Sequence, residues 1–253
     1  METFNRCAEY SDAAHLNNRW TISHTTALEL LRIEVPRLEK SCSDALNTPR
    51  VHHHKAYSLH KLHICFPLGS MRSRAEDVTM HLWSHPFAPI VISEGISCVP
   101  PLTAWAQMAR YIDLNELVTL GDSMMRKNPR LKLATLRDFE QYVEMSSKFL
   151  GRENCRRALN LMAENTDFSQ GSRLRLLLQQ HHLGRPSVNY DVFDPQNQNV
   201  YTLDLAYPLK HVAIEYDGEH HLENAEQRRD DVFKRERLRQ LGWTVIIVRK
   251  EDL

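Results

Sequence analysis

The arrangement of apolar and polar positions changes character partway along the chain. From Leu102 to Met125 apolar residues recur at spacings of three and four, through Ala106, Ala109, Ile112, Leu117 and Leu120, and this predicts two consecutive helices. A break at Asn128-Pro129 is followed by a further helical stretch over Leu136 to Leu161. Nearer the start, Thr25 to Arg32 reads as a short helix capped by Ser23 and stopped before Pro36. The short apolar runs Leu62 to Pro67 and Ala88 to Ile92 read as strands of a small mixed domain.

Beyond Asn165 the period shifts. Ser172 to His181 is an amphipathic helix ending before Leu183-Gly184, and three strand-like runs follow: SVNYDVFD, VYTLDLAYP and HVAIEYDG. The turn-rich PQNQN and a short turn at Leu209 and Lys210 join them, which predicts an antiparallel meander. A charged helix from Glu223 to Gln240 comes next, with Val232, Leu238 and Leu241 along one side and Gly242 at its end. Trp243 to Val248 is the last strand, able to reach the sheet beside the third strand by a crossover. The expected architecture is α/β: a mainly helical α+β domain over 1–164, then a mixed sheet flanked by helices over 165–253.

Composition narrows the function classes only a little. Lys plus Arg and Asp plus Glu each number 32, so any nucleic-acid binding must come from local patches and not from whole-chain charge. Arg126, Lys127, Arg130 and Lys132 form one such patch, for which a solvated face is the commoner explanation. The five cysteines are odd in number and never paired as CxxC, which fits reduced thiols and a cytoplasmic location. The N-terminus lacks a signal-peptide layout and no apolar run is long enough for a membrane helix, so no membrane association is expected. The adjacent His52, His53 and His54 point in different directions on any regular element, and a surface loop is the expected reading.

Candidate chemistry lies in AIEYDG. Glu215 and Asp217 are two apart on a strand, so both carboxylates share one face while Ile214 and Tyr216 take the other. Their repulsion and partial burial would raise at least one pKa unless a cation intervenes. Asp204, in the neighbouring strand, brings a third carboxylate to the same end of the sheet. Three hard oxygens suit Mg2+ or Mn2+, with the Tyr216 carbonyl as a further ligand and open positions for a phosphate oxygen and a water. His220 and His221 follow Gly218, and His221 is favoured as a proton-transfer or phosphate-steadying group. The alternative is that Glu215 and Asp217 simply form salt bridges with the following helix, where Arg228, Arg229, Lys234, Arg235, Arg237 and Arg239 are plentiful.

The run TLDLAYPLKHVAIEYDGEHH, followed by RRDDVFKRERLRQLGWTVIIV, closely resembles the very-short-patch-repair-like endonuclease branch of the PD-(D/E)XK nuclease superfamily, found in many actinobacterial proteins. The shared pattern is an Asp in a strand before Tyr-Pro, an E-hydrophobic-D-G turn with a His shortly after, a charged helix, and Gly-Trp opening the last strand. ISHTTALELL and VPPLTAWAQMARYIDLNELVTLGDSMM are similar to the leading region such proteins carry, sometimes called abortive-infection antitoxin-like.

The resemblance implies a restriction-endonuclease-like fold, with Asp204 and Glu215 as metal ligands, Asp217 in the place of the superfamily's usual lysine and His221 as the matching histidine. One departure is Gly171, where the family's helix before the meander carries an acidic residue. The resulting expectation is a divalent-metal-dependent endonuclease cutting DNA, with Arg228, Arg229, Lys234 and Arg235 clamping the phosphate backbone. The alternative is a nuclease-fold protein without turnover, binding nucleic acid or acting as an antitoxin-like regulator. Homo-oligomerisation is left open.

Overall fold

The computed structural model describes residues 20–38, 57–58, 61–67, 77–93, 96–217 and 225–252, with the backbone alone at 225–228 and 250. It is a mixed α/β protein that divides into two compact units. The first comprises 1–124 and 133–162, the second 125–132 and 163–253. The chain passes finally into the second unit at 163. It also lends that unit the basic segment 125–132, which a single boundary does not separate. Among the described residues no helix is long and apolar enough to cross a membrane.

The first unit holds a five-stranded mixed sheet in the order β3-β2-β1-β5-β4. Its strands are β1 (Thr21–Ile22), β2 (Leu62–Phe66), β3 (Val78–Leu82), β4 (Ile90–Ser93) and β5 (Ile96–Cys98). Helix α1 (His24–Leu30) leaves β1 directly. Ser23 stands at its N-cap without capping it, because the hydroxyl instead contacts the ring of His24.

Helices α2 (Pro101–Met108) and α3 (Leu114–Met124) follow, as the three-four spacing predicts. Trp105, fully buried, packs edge-on against Phe139 and donates its indole N–H to the Leu117 carbonyl at 2.9 Å. The helical stretch expected over 136–161 is two helices, α4 (Leu136–Met145) and α5 (Arg152–Leu159). Gly151, at φ 94°, adopts a left-handed conformation that stops a continuous helix there, and a Cβ at that position would sit 3.0 Å from the Ala109 backbone.

The second unit has α6 (Ser169–Gln180), β6 (Ser187–Asp194), β7 (Asn199–Tyr207), β8 (Val212–Asp217), α7 (Ala225–Gln240) and β9 (Thr244–Arg249). Strands β6, β7 and β8 form an antiparallel meander, and β9 joins beside β8 in parallel, giving the order β6-β7-β8-β9. Each face of this sheet is covered by one helix. Leu174 and Leu178 of α6 pack with Val188, Leu205, Val212, Ile214 and Val248. Leu238 of α7, Leu241 and Trp243 cover Tyr190, Val192, Leu203, Ala206, Ala213 and Val245.

Val232 does not belong to that apolar side as expected: it is 62% exposed. At about 100° per residue it lies roughly 120° around α7 from Leu238, whereas Lys234 and Leu241 share the Leu238 face. The β6–β7 turn is fastened to α7 by a fully buried carboxylate. Asp194 accepts from Arg237 Nε at 2.9 Å on Oδ2 and from Nη2 at 3.0 Å on Oδ1, and from the Gln196 backbone N–H at 2.9 Å.

Candidate active site

Strands β7 and β8 pair only as far as Leu205↔Ile214 and then part. On either side the ladders continue, β6 with β7 to Asp194↔Asn199 and β8 with β9 to Asp217↔Arg249, so the sheet opens into a fork. Backbone groups at a parting need other partners. The Tyr216 N–H donates to Asp204 Oδ2 at 2.9 Å, and the Thr202 carbonyl accepts from Lys234 Nζ at 2.7 Å.

Asp204 occupies a break in the strand's alternation. Leu203 packs with the α7 side and Leu205 with the α6 side, although residues two apart on a regular strand share a face. The local cause is visible on β6, where Asn189 adopts φ 45° between the Val188↔Leu205 and Tyr190↔Leu203 pairs. The side-chain amide of Asn189 is held by the Asn165 carbonyl and by Asp167 Oδ2.

Across the fork, Lys234 Nζ also donates to Glu215 Oε2 at 2.9 Å. Burial pushes the Glu215 carboxyl above its ordinary range and the charge of Asp204 adds to this. Lys234 and the Asp204 amide pull the other way without cancelling it. Glu215 Oε1 is buried and completes no hydrogen bond. The buried oxygen of a partly buried carboxylate thus has unmet acceptor capacity beside a second carboxylate, which is costly in the absence of a cation.

The structure therefore brings Asp204, Glu215 and Lys234 together and leaves Asp217 apart. Asp217 shares the Glu215 face, but its Oδ2 lies 3.7 Å from Arg235 Nη2. Both ion pairs of the salt-bridge alternative are thus formed, Glu215 with Lys234 and Asp217 with Arg235. Among the described residues no three His, Cys, Asp or Glu side chains gather to hold a metal. A hard ion here would rest on Asp204 and Glu215, with water or backbone oxygen completing its shell, a ligand count that Mg2+ tolerates.

Of the four expected phosphate clamps, Lys234 and Arg235 turn toward the acids, Arg229 is exposed, and the Arg228 side chain lies outside the described residues. His220 and His221 also lie outside them, as do His52, His53 and His54. Gly171 sits in the first turn of α6, and a Cβ there would meet nothing within 4 Å. The sequence named Lys234 as a phosphate clamp and as one of six possible salt-bridge partners but did not single it out for Glu215, although a signal existed: it falls on the buried Leu238 and Leu241 face of a helix otherwise charged all round.

The first unit carries a second cluster that sequence reasoning did not single out. His24, His63, His81, Tyr57 and Tyr111 stack together, with the His24 and His81 rings 3.6 Å apart and those of Tyr57 and His63 4.4 Å apart. His63 Nε2 lies 2.8 Å from the Ser58 carbonyl, which can only accept, so this nitrogen carries a proton. In the neutral ring Nδ1 then accepts from His81 Nε2–H at 2.8 Å, and His81 Nδ1 in turn accepts from the Tyr111 hydroxyl at 3.2 Å.

Burial, His63 and Arg110 hold His81 down to about 3, and burial with the neighbouring histidines holds His24 well below its usual value. Each nitrogen of the His63–His81 pair is engaged in this chain, so the pair has no lone pair left to offer a metal. Nearby, Cys65 and Cys98 are free buried thiols whose pKa burial pushes up to about 11.

Compared with protein-family models, with curated proteins and with solved structures, the chain matches none.

Proposed function

We propose that the second unit is a divalent-metal-dependent endonuclease domain acting on DNA, of the PD-(D/E)XK kind. The observation that carries this reading is the fork itself. Asp204 and Glu215 stand on its two lips, and a buried Glu215 oxygen has no donor. A bound Mg2+ or Mn2+ would neutralise these charges and supply Lewis-acid polarisation of a phosphodiester.

The chain's own groups fall into distinct roles in this reading. Asp204 and Glu215 hold the ion, with the Tyr216 carbonyl as a further oxygen donor. Asp204 is fixed in place by the Tyr216 N–H, so its carboxylate is positioned before any ligand arrives. Lys234 supplies an ammonium beside Glu215, where the sequence of β8 offers Asp217 in place of a lysine. Its Nζ is tethered by the Thr202 carbonyl and is therefore placed to meet developing negative charge on a phosphoryl oxygen. The order of α6, three antiparallel strands, α7 and a parallel fourth strand agrees with the restriction-endonuclease-like arrangement that the resemblance implies.

A second reading is a nuclease-fold protein that binds nucleic acid without cutting it. It is favoured by Gly171, which stands where an acidic residue is expected, and by the Arg235 pairing that neutralises Asp217. Nicking of supercoiled plasmid with Mg2+ or Mn2+ separates the two. The endonuclease reading expects cutting by the native protein and loss of about a hundredfold or more in Glu215→Ala. Equal residual nicking in both proteins sinks it, and retention of DNA without cutting supports the binder.

A further inference from the structure

Helix α7 has two faces, and among the described residues one packs on the sheet while the other lies open. Lys234, Leu238 and Leu241 are turned toward the sheet. On the opposite side Arg229, Val232, Phe233 and Glu236 line a shallow groove open to solvent. Val232 is 62% and Phe233 55% exposed, an adjacent apolar pair on a helix that is otherwise largely charged.

At about 100° per residue, Arg229 and Glu236 both fall between Val232 and Phe233 in projection, and the centre of this stripe lies roughly 155° from the buried face. The four positions are symmetric about the midpoint between Val232 and Phe233. An antiparallel copy of the same helix, related by a two-fold axis through that midpoint, sets Val232 beside the second copy's Val232 on one flank and Phe233 beside the second copy's Phe233 on the other. It sets Arg229 against the second copy's Glu236, and the reverse pair forms by symmetry. A parallel copy would instead oppose like charges.

From this self-complementarity we propose that the outer face of α7 is a homodimerisation surface whose occupant is a second copy of this chain, packed antiparallel. The inference goes beyond the nuclease reading and does not depend on it. Glu236 is only loosely held within its own helix: Gln240 Nε2 donates to it at 3.4 Å and Arg239 Nη1 lies 3.8 Å away, with the Glu236 and Arg239 side chains more than half exposed. A stripe one helix wide buries less than the roughly 1,200 Å2 of a strong interface, so the dimer dissociates at concentrations on the order of 10–100 µM.

The two-fold geometry makes a reciprocal charge-swap experiment decisive. Full-length protein freed of nucleic acid is examined by sedimentation equilibrium at low salt, up to about 500 µM, a concentration above the expected dissociation range. Arg229→Glu alone, or Glu236→Arg alone, places like charges opposite each other twice and weakens dimerisation by about tenfold or more. An equimolar mixture of the two variants forms a heterodimer in which both contacts are again opposite in sign. The double variant Arg229→Glu/Glu236→Arg also dimerises like the native chain.

Phe233→Ser removes association altogether, with circular dichroism and thermal melting confirming that the exposed substitution leaves the fold intact. A native chain that stays monomeric throughout the range overturns the proposal. So does a dimer that either single swap leaves unchanged, or a pair of variants that fails to recover association on mixing.

Discussion

Lys234 Nζ sits 2.9 Å from Glu215 Oε2 and 2.7 Å from the Thr202 carbonyl, so one ammonium spans the two lips of the split between β7 and β8. The fork is held at its mouth by this contact and at its base by Asp204, which takes the Tyr216 N–H. Both ties are partly buried, and their loss should be felt in stability as well as in any activity. Lys234→Ala is expected to destabilise the protein by about 1–3 kcal/mol, because it leaves a partly buried carboxylate and a carbonyl without this donor. Lys234→Arg, retaining the charge on a wider head group, should recover part of that loss in a denaturant melt.

The unmet oxygen of Glu215 makes metal affinity visible without catalysis. Mn2+ or Mg2+ should raise the melting temperature of the native chain, by the equivalent of about 2.7 kcal/mol at a hundred times the dissociation constant. Asp204→Asn and Glu215→Gln should each flatten that response. Because the Glu215 carboxyl is raised in the folded state despite its Lys234 partner, its effect on stability runs opposite to that of an acid whose pKa folding lowers. The metal-free protein loses stability as pH climbs above the ordinary Glu value and the buried group ionises. A metal-free melt insensitive to pH in that region, in the native chain and in Glu215→Gln alike, would count against the buried-pair description.

In the first unit the histidine chain has the reverse sign. His81 is held down to about 3, so the stability it contributes is complete above the unfolded value near 6.5 and is lost as pH falls toward 3. Melts between pH 7.5 and 5 should therefore show progressive destabilisation, diminished in His81→Gln. Nitrogen-15 spectra should find protons on Nε2 and not on Nδ1 of both His63 and His81. The opposite tautomer at His63 would break the derivation from the Ser58 carbonyl.

Asp194 and Arg237 give a contrast of buried with exposed pairing. Burial raises the Asp194 carboxyl, but the Gln196 amide and the Arg237 guanidinium together hold it below the usual range. Its contribution is present at neutral pH and is lost as pH falls through the folded value. Arg237→Ala, which strands a fully buried carboxylate, should lower the melting temperature far more than Arg239→Ala, whose partner Glu236 is more than half exposed.

Gly171 offers a gain instead of a loss. Nothing lies within 4 Å of a Cβ placed there, so Gly171→Ala should stabilise α6 by about 0.5–1 kcal/mol through the glycine's lost conformational freedom. Gly171→Glu restores the carboxylate that the resemblance leads one to expect, and should increase both the Mn2+ shift in melting temperature and plasmid nicking. A Glu variant that matches Ala in both measurements would show that this position does not face the metal site.

What the sequence determined by itself is the local grammar. The period-two runs around Val192, Leu203 and Ile214, the Gly242 stop and the Leu238–Leu241 stripe specify three strands, a helix and a fourth strand, because backbone periodicity is a property of neighbours along the chain. It also placed Glu215 and Asp217 on one face, which the structure bears out.

Only tertiary structure decided which charges meet. Lys234 and Arg235 are adjacent on a charged helix, and nothing local says that one reaches Glu215 and the other Asp217. That outcome depends on where β7 and β8 part beyond Leu205↔Ile214 and on how α7 is laid across the sheet. The histidine cluster was hidden for the same reason. His24, His63 and His81 come from a helix start and two strands far apart in sequence, and their contact is a product of how the sheet closes.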